Sequence, residues 1–219
     1  MDITKILKCV DHTLLSQTVT TKDIQELIDD AIKFGTASVC IPPSFVEMAK
    51  NYAGDKIKIC TVIGFPNGYN TTNAKVFEAT DAIAKGADEI DMVINLGYIK
   101  EKKFDDTLNE IKKVREVCQG KTLKVIIETC LLTEQEKVKL CKLVTESGAD
   151  YIKTSTGFST SGATKEDIEL IRENIGQNIK IKASGGIKTL RSAQDYIELG
   201  CSRLGSSSIV KLAKEQNKE

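Results

Sequence analysis

The chain has 219 residues, with 31 Lys and Arg set against 31 Asp and Glu. That balance leaves no bulk electrostatic footprint for nucleic acid or an anionic membrane, and no apolar run approaches the roughly 18 residues of a membrane-spanning helix. The seven cysteines, Cys9, Cys40, Cys60, Cys118, Cys130, Cys141 and Cys201, show no C-x-x-C spacing. They read as reduced thiols used as small buried hydrophobes in a cytoplasmic protein, not as a disulfide or zinc framework.

The start, MDITKILKCVDHTLL, lacks the apolar stretch and cleavage site of a secretory leader. A first strand is expected near 8–12 and a helix near 20–34, ending at Gly35. Strand 37–41 brings Cys40 to its end, the thiol most worth watching for reactivity, and helix 43–52 follows Pro42 and Pro43. Strand 57–64 leads to helix 73–85 and Gly86, and strand 89–95 to helix 104–118. Strand 123–128 precedes helix 133–147, which opens on the capping-box sequence TEQE and stops at Gly148. Strand 151–155, helix 164–175 (opening TKED), strand 179–184, helix 189–199 with Gly200, strand 202–206 and helix 207–214 complete the order. Gly35, Gly86, Gly148 and Gly200 sit where helices end in the left-handed conformation.

Eight βα units of about 27 residues fit a compact, single-domain α/β fold, the (β/α)8 TIM barrel, over residues 1–219 with a frayed tail. An open doubly wound sheet is the alternative. It would more often carry a glycine-rich dinucleotide turn after its first strand, where this chain has DHTLLSQ.

Strand parity then locates the charges. Ile90, Met92 and Ile94 share one face of the fourth strand, and Glu89, Asp91, Val93 and Asn95 the other. Lys124, Lys153 and Lys182 likewise lie opposite apolar faces. Helices cover the outside of a parallel barrel, so the apolar faces point outward and Asp91, Lys124, Lys153 and Lys182 converge inside. Such a network is costly to desolvate and often marks an active site.

An amine is nucleophilic only when neutral. Two ammonium groups about 5 Å apart repel by roughly 3 kcal/mol at an effective dielectric near 20, about 2 pKa units. Lys153 and Lys182 can therefore yield one neutral amine able to form a Schiff base, with Asp91 moving protons beside the iminium. The stretches ASGGIKT and RLGSSSIV follow the seventh and eighth strands, where barrels bind phosphate. Gly185 and Gly186 offer N–H groups there, and Ser207 and Ser208 offer hydroxyls. No nucleotide motif occurs, and His12, the only histidine, reads as structural; neither a metal nor a cofactor is expected.

DHTLL (11–15), VCIPPSFV (39–46), VIGFPNG (62–68), EIDMVINLG (89–97), KVIIETCLL (124–132), DYIKTSTGF (150–158), KASGGIKT (182–189) and RLGSSS (203–208) together resemble the deoxyribose-phosphate aldolases, class I aldolases, along nearly the whole chain. The resemblance implies reversible cleavage of 2-deoxy-D-ribose 5-phosphate to D-glyceraldehyde 3-phosphate and acetaldehyde, in cytoplasmic deoxynucleoside breakdown. It implies Lys153 as the Schiff-base lysine, Lys182 as its electrostatic and proton-transfer partner, and Asp91 as part of the proton relay. Thr156, Gly157, Gly185, Gly186, Gly205, Ser207 and Ser208 would hold substrate and phosphate, and Asp11, Thr13, Lys124 and Cys40 would complete the pocket network. The implied partners are a phosphorylated sugar and aldehydes, with a homodimer or homotetramer as the assembly. Two departures stand out. Some members carry a lysine directly after S-T-G, where this chain has Phe158, which implies weaker discrimination against unphosphorylated sugar. Some also end in a tyrosine, where this chain ends KEQNKE, which implies slower turnover or a water in its place.

Overall fold

Every segment read as a strand forms one. They are β1 (Val10–Thr13), β2 (Ser38–Ile41), β3 (Ile59–Ile63), β4 (Glu89–Val93), β5 (Thr122–Ile126), β6 (Tyr151–Lys153), β7 (Lys180–Ser184) and β8 (Arg203–Ser206). The computed structural model describes residues 3–216. The expected frayed tail falls largely outside them. All eight strands are parallel and pair in chain order, and β8 closes back on β1. This is the (β/α)8 barrel, and the open sheet is excluded.

The helices are α1 (Ile3–Leu7), α2 (Thr21–Phe34), α3 (Val46–Ala53), α4 (Thr72–Ala84), α5 (Leu96–Lys100), α6 (Phe104–Val117), α7 (Glu134–Ser147), α8 (Lys165–Asn174), α9 (Leu190–Glu198) and α10 (Ile209–Gln216). Two of these, α1 and α5, were not expected. The first takes residues just ahead of the expected strand, buries Ile6 and Leu7, and delays β1 to Val10. The second is a single turn capped by the Asn95 side chain on Gly97 N–H.

The punctuation works largely as read. Gly35 and Gly148 cap their helices at φ 65° and 74°, in the left-handed region. Thr133 forms a full capping box with Glu136. Thr164 accepts from Asp167 N–H, but the reciprocal half is not formed, because Lys137 takes the Asp167 carboxylate at 2.6 Å.

Ile90, Met92, Leu123, Val125, Ile152, Ile181 and Ala183 all join one buried cluster between strands and helices. Burying each large aliphatic contributes about 1.5–3 kcal/mol. Inside that shell lies one isolated ion pair, Lys75 on α4 with Glu110 on α6, at 2.8 Å and fully buried. The other Glu110 oxygen accepts from Asn95 N–H at 3.1 Å. Gly64 N–H donates to Glu78 at 2.7 Å and Gly68 N–H to Gly64 O at 2.7 Å. A side chain at Gly68 would stand 2.0 Å from the Ile94 carbonyl oxygen. The loop GFPNG (64–68) is thus pinned against the end of β4, and it carries Phe65 toward the barrel mouth.

His12 faces outward and is buried, and its Nδ1 has no hydrogen-bond partner among the described residues. Burial pulls its pKa down to about 4, against the opposing pull of Asp30 and a hydrogen bond to the Ser206 backbone. The unfolded chain binds a proton near pH 6.5, and the fold refuses it until about pH 4. Stability should therefore fall by up to about 3 kcal/mol as pH drops through that window. His12→Gln should flatten this slope in urea denaturation between pH 6.5 and 4; an unchanged slope would assign it to another group.

Candidate active site

Strand register brings the interior charges together. Asp91 is the ladder partner of Lys124, and Lys182 is the partner of both Lys153 and Arg203. Asp91 Oδ2 accepts from Lys153 Nζ at 2.8 Å and from Lys182 Nζ at 2.7 Å. Its Oδ1 accepts from Lys124 Nζ at 2.8 Å. Lys182 also donates to Asp11 Oδ2, and Lys124 to Glu89 Oε2 at 2.6 Å. Below them Arg203 bonds Asp11 at 2.5 Å and Glu89 at 2.9 and 3.2 Å, and Ser38 donates to Asp11 at 2.7 Å. Four cations, Lys124, Lys153, Lys182 and Arg203, thus face three carboxylates, Asp11, Glu89 and Asp91, all of them buried or nearly so.

This geometry revises the picture of two bare ammonium groups. A carboxylate oxygen lies between them. Burial alone would push Lys182 toward neutrality, but Asp11 and Asp91 overcome it and hold Lys182 above the ordinary lysine range. Burial likewise pushes Asp91 and Asp11 up, and the surrounding cations reverse that and hold both below the carboxylate range. Lys182, Asp11 and Asp91 are therefore charged at neutral pH. Lys180, on the same strand parity as Lys182, lies at the opposite mouth, exposed and 5.7 Å from the Tyr151 ring centroid.

Above the network opens a cavity of about 730 Å³. Lys153 lies on its floor. Thr13, Thr156, Gly157, Gly185, Gly186, Gly205, Ser207 and Ser208 all line it. Asp11, Asp91, Lys124, Lys182 and Cys40 lie beneath or beside it and are absent from its lining. Thr156 is held by Glu128, which accepts from both its N–H and its Oγ1. Gly162 and Gly185 meet backbone to backbone: a Cβ on Gly162 would lie 2.3 Å from the Gly185 carbonyl. On β8, a Cβ at Gly205 would meet Ser184 Oγ at 2.3 Å and Lys182 Cε at 3.3 Å, so glycine there makes room for the lysine.

Phe158 is 53% exposed, lines the cavity, and meets Phe65 edge to face at 5.3 Å. The exposed cation on the rim is instead Lys188, which the sequence reading quoted within KASGGIKT and passed over. Glu89, Arg203 and Cys60 were also passed over as site residues. Parity alone would have turned Arg203 inward with Gly205. Two trios, Cys40–Cys60–Asp91 and Asp11–Cys60–Glu89, hold candidate ligand atoms within 4.8 Å. Their carboxylates are already bonded to lysine or arginine, so a metal ion would have to displace an ammonium or guanidinium group.

A closed barrel with an amine on the floor of a cavity and glycine–serine loops at its C-terminal rim is the frame of a carbonyl-handling barrel enzyme. Comparison with known proteins makes this specific. The DeoC/LacD family aldolase model matches residues 5–205, and the chain belongs to that family of aldolases. It is 56% identical over 219 residues to the deoxyribose-phosphate aldolase of Streptococcus agalactiae, covering all of this chain and 98% of that one. Among solved structures it resembles QR15, an aldolase, at TM-score 0.93 and 40% identity, covering 97% and 96% of the two chains. It also resembles the tetrameric deoxyribose phosphate aldolase of Aeropyrum pernix, at TM-score 0.91 and 27% identity, covering 99% and 92%.

Removing one partner from a buried ion pair costs about 3–5 kcal/mol. Arg203→Met should lower the unfolding free energy read from urea denaturation by that order, and Arg203→Met with Glu89→Gln should recover much of it. Equal loss in the single and double variants would mean that Arg203 acts through packing on Tyr151, whose ring lies 5.6 Å away.

Proposed function

We propose that this aldolase reversibly cleaves 2-deoxy-D-ribose 5-phosphate to D-glyceraldehyde 3-phosphate and acetaldehyde, in deoxyribonucleoside catabolism, through a Schiff base on Lys153. The observation that carries the reading is the shared Asp91 oxygen: Lys153 and Lys182 both bond it, and only Lys153 also reaches the cavity. Charge balance supports the choice of nucleophile. With four cations against three carboxylates, the network becomes neutral on losing one proton. Lys153 has one carboxylate contact, whereas Lys124, Lys182 and Arg203 each have at least two.

The amine adds to the C1 aldehyde of the open-chain sugar, and loss of water leaves an iminium. The C3 hydroxyl gives up its proton as the C2–C3 bond breaks, and the electron pair flows into the iminium to make an enamine. Asp91 and Lys182 form the adjoining relay for that proton and for its return to C2. Water then releases acetaldehyde and restores the amine. Lys124 and Asp11 hold the relay in place. Gly185, Gly186, Ser207 and Ser208, with Lys188 at the rim, are suited to the 5-phosphate, and Thr156, Gly157 and Gly205 to the sugar beneath it. With Phe158 beside Phe65, this rim is more apolar than one carrying a second lysine, which supports a site tolerant of unphosphorylated aldehydes. The tetrameric relative supports an oligomer, with a homodimer or homotetramer as the assembly, and the free cysteines suit a cytoplasmic enzyme.

Incubation with deoxyribose 5-phosphate followed by borohydride should leave an adduct on the peptide holding Lys153, and a coupled alcohol dehydrogenase assay should detect acetaldehyde. Binding without acetaldehyde at high enzyme concentration would point to a sensing barrel, and turnover retained by Lys153→Leu to an isomerase using a carboxylate base. Lys182→Leu leaves three cations on three carboxylates, which favours the protonated form of the nucleophile. The acidic limb of the rate profile should move upward in pH. An unmoved limb with activity lost would confine Lys182 to proton transfer.

A further inference from the structure

Cys40 and Cys60 are ladder partners on β2 and β3, and they pack together inside the barrel with Val62. Neighbouring strands lie about 4.8 Å apart, within the roughly 4.4–6.8 Å Cα separation that a disulfide spans. The two sulfurs lie within 4.8 Å of each other and of an Asp91 oxygen. Cys60 Sγ donates to Asp91 Oδ1 at 3.2 Å and takes a hydrogen bond from Lys124 Nζ at 3.3 Å. The pair therefore touches the lysine network from the side opposite β7. The mechanism above uses neither thiol.

We propose that Cys40 and Cys60 form a peroxide-oxidisable dithiol, which closes to an intramolecular disulfide and reversibly disables the adjoining lysine network. Their environments divide the roles. The Cys60 side chain beside it, with Lys182 and Lys153, lowers the Cys40 pKa despite burial, while burial pushes Cys60 well up. Cys40 is the attacking thiolate and Cys60 the resolving thiol. Leu15 and Phe65, both half-buried, pack against the pair, and Leu15 also lines the substrate cavity. Both thiols are fully buried, so the oxidant suited to them is a small, neutral one.

In the first step the Cys40 thiolate attacks one oxygen of hydrogen peroxide and the O–O bond breaks. The leaving hydroxide takes up the proton that Cys40 lost, giving water and a sulfenic acid. In the second, the Cys60 sulfur attacks the Cys40 sulfur and the S–O bond breaks. The departing hydroxide takes the Cys60 proton as a second water. Two thiols are oxidised and one peroxide is reduced. The bridge withdraws Cys60 from Asp91 and Lys124. A dithiol reductant returns the bridge to two thiols by thiol–disulfide exchange.

The chemistry does not depend on the sugar the enzyme cleaves, so the test reads the protein first. Treat the purified enzyme with hydrogen peroxide, block free thiols, digest without reductant, and map the peptides by mass. A Cys40–Cys60 linked peptide should appear, the intact chain should lose two hydrogens, and most of the activity should vanish and return with dithiothreitol. In Cys60→Ala, measured against its own untreated activity, the Cys40 sulfenic acid has no resolving partner, so prolonged exposure should cause loss that dithiothreitol does not reverse. No linked peptide at an inactivating peroxide concentration would overturn the proposal. Recovery in Cys60→Ala equal to that of the parent would do the same. If the variant fails to fold, the parent's peptide map decides alone.

Discussion

One carboxylate oxygen, Asp91 Oδ2, accepts hydrogen bonds from two lysines in a place that bulk water does not reach. Burying either ammonium alone would cost several kcal/mol. Sharing the oxygen makes both tolerable and leaves the cluster with one positive charge in excess. Beneath it, Glu89 pairs with Lys124 and Arg203, and Arg203 pairs in turn with Asp11.

The cluster is built by strands, and the substrate cavity above it largely by loops. Ladder pairing sets Asp91 beside Lys124 and Lys182 beside Lys153, so the chemical groups inherit the rigidity of the barrel. The rim depends on backbone proximity instead. Gly162 lies against Gly185, and the pinned GFPNG loop holds Phe65 against Phe158. The proposed function is thus layered along the barrel axis, with proton chemistry below and recognition above.

Much of this was legible in the chain. Apolar alternation and four helix-ending glycines gave the eight units in order, and parity turned Asp91, Lys124, Lys153 and Lys182 inward. Pairing across the barrel was not legible, because it depends on closure and stagger, which no single strand encodes. Arg203 could be turned inward by parity, yet nothing local says that it grips Asp11 and Glu89. The same holds for Thr164, whose box partner Asp167 is drawn away by Lys137 from the preceding helix. Short helices such as α1 and α5 escape because five residues are too few to display a period. The motif resemblance supplied the residue roles that no periodicity carries.

The buried cluster and the exposed rim also differ in how they meet the surrounding electrolyte. Mobile ions screen charges separated by solvent over about 8–10 Å at physiological ionic strength, but they do not enter a packed barrel interior. The ion pairs that Asp91 makes with Lys124, Lys153 and Lys182 are therefore insulated from salt. Attraction of an anionic substrate to Lys188 and the glycine–serine rim is not. On the proposed function, rising ionic strength weakens capture of an anionic substrate and leaves the interior ion pairs intact, so added salt acts on saturation, whereas an uncharged solute of equal osmolarity does not.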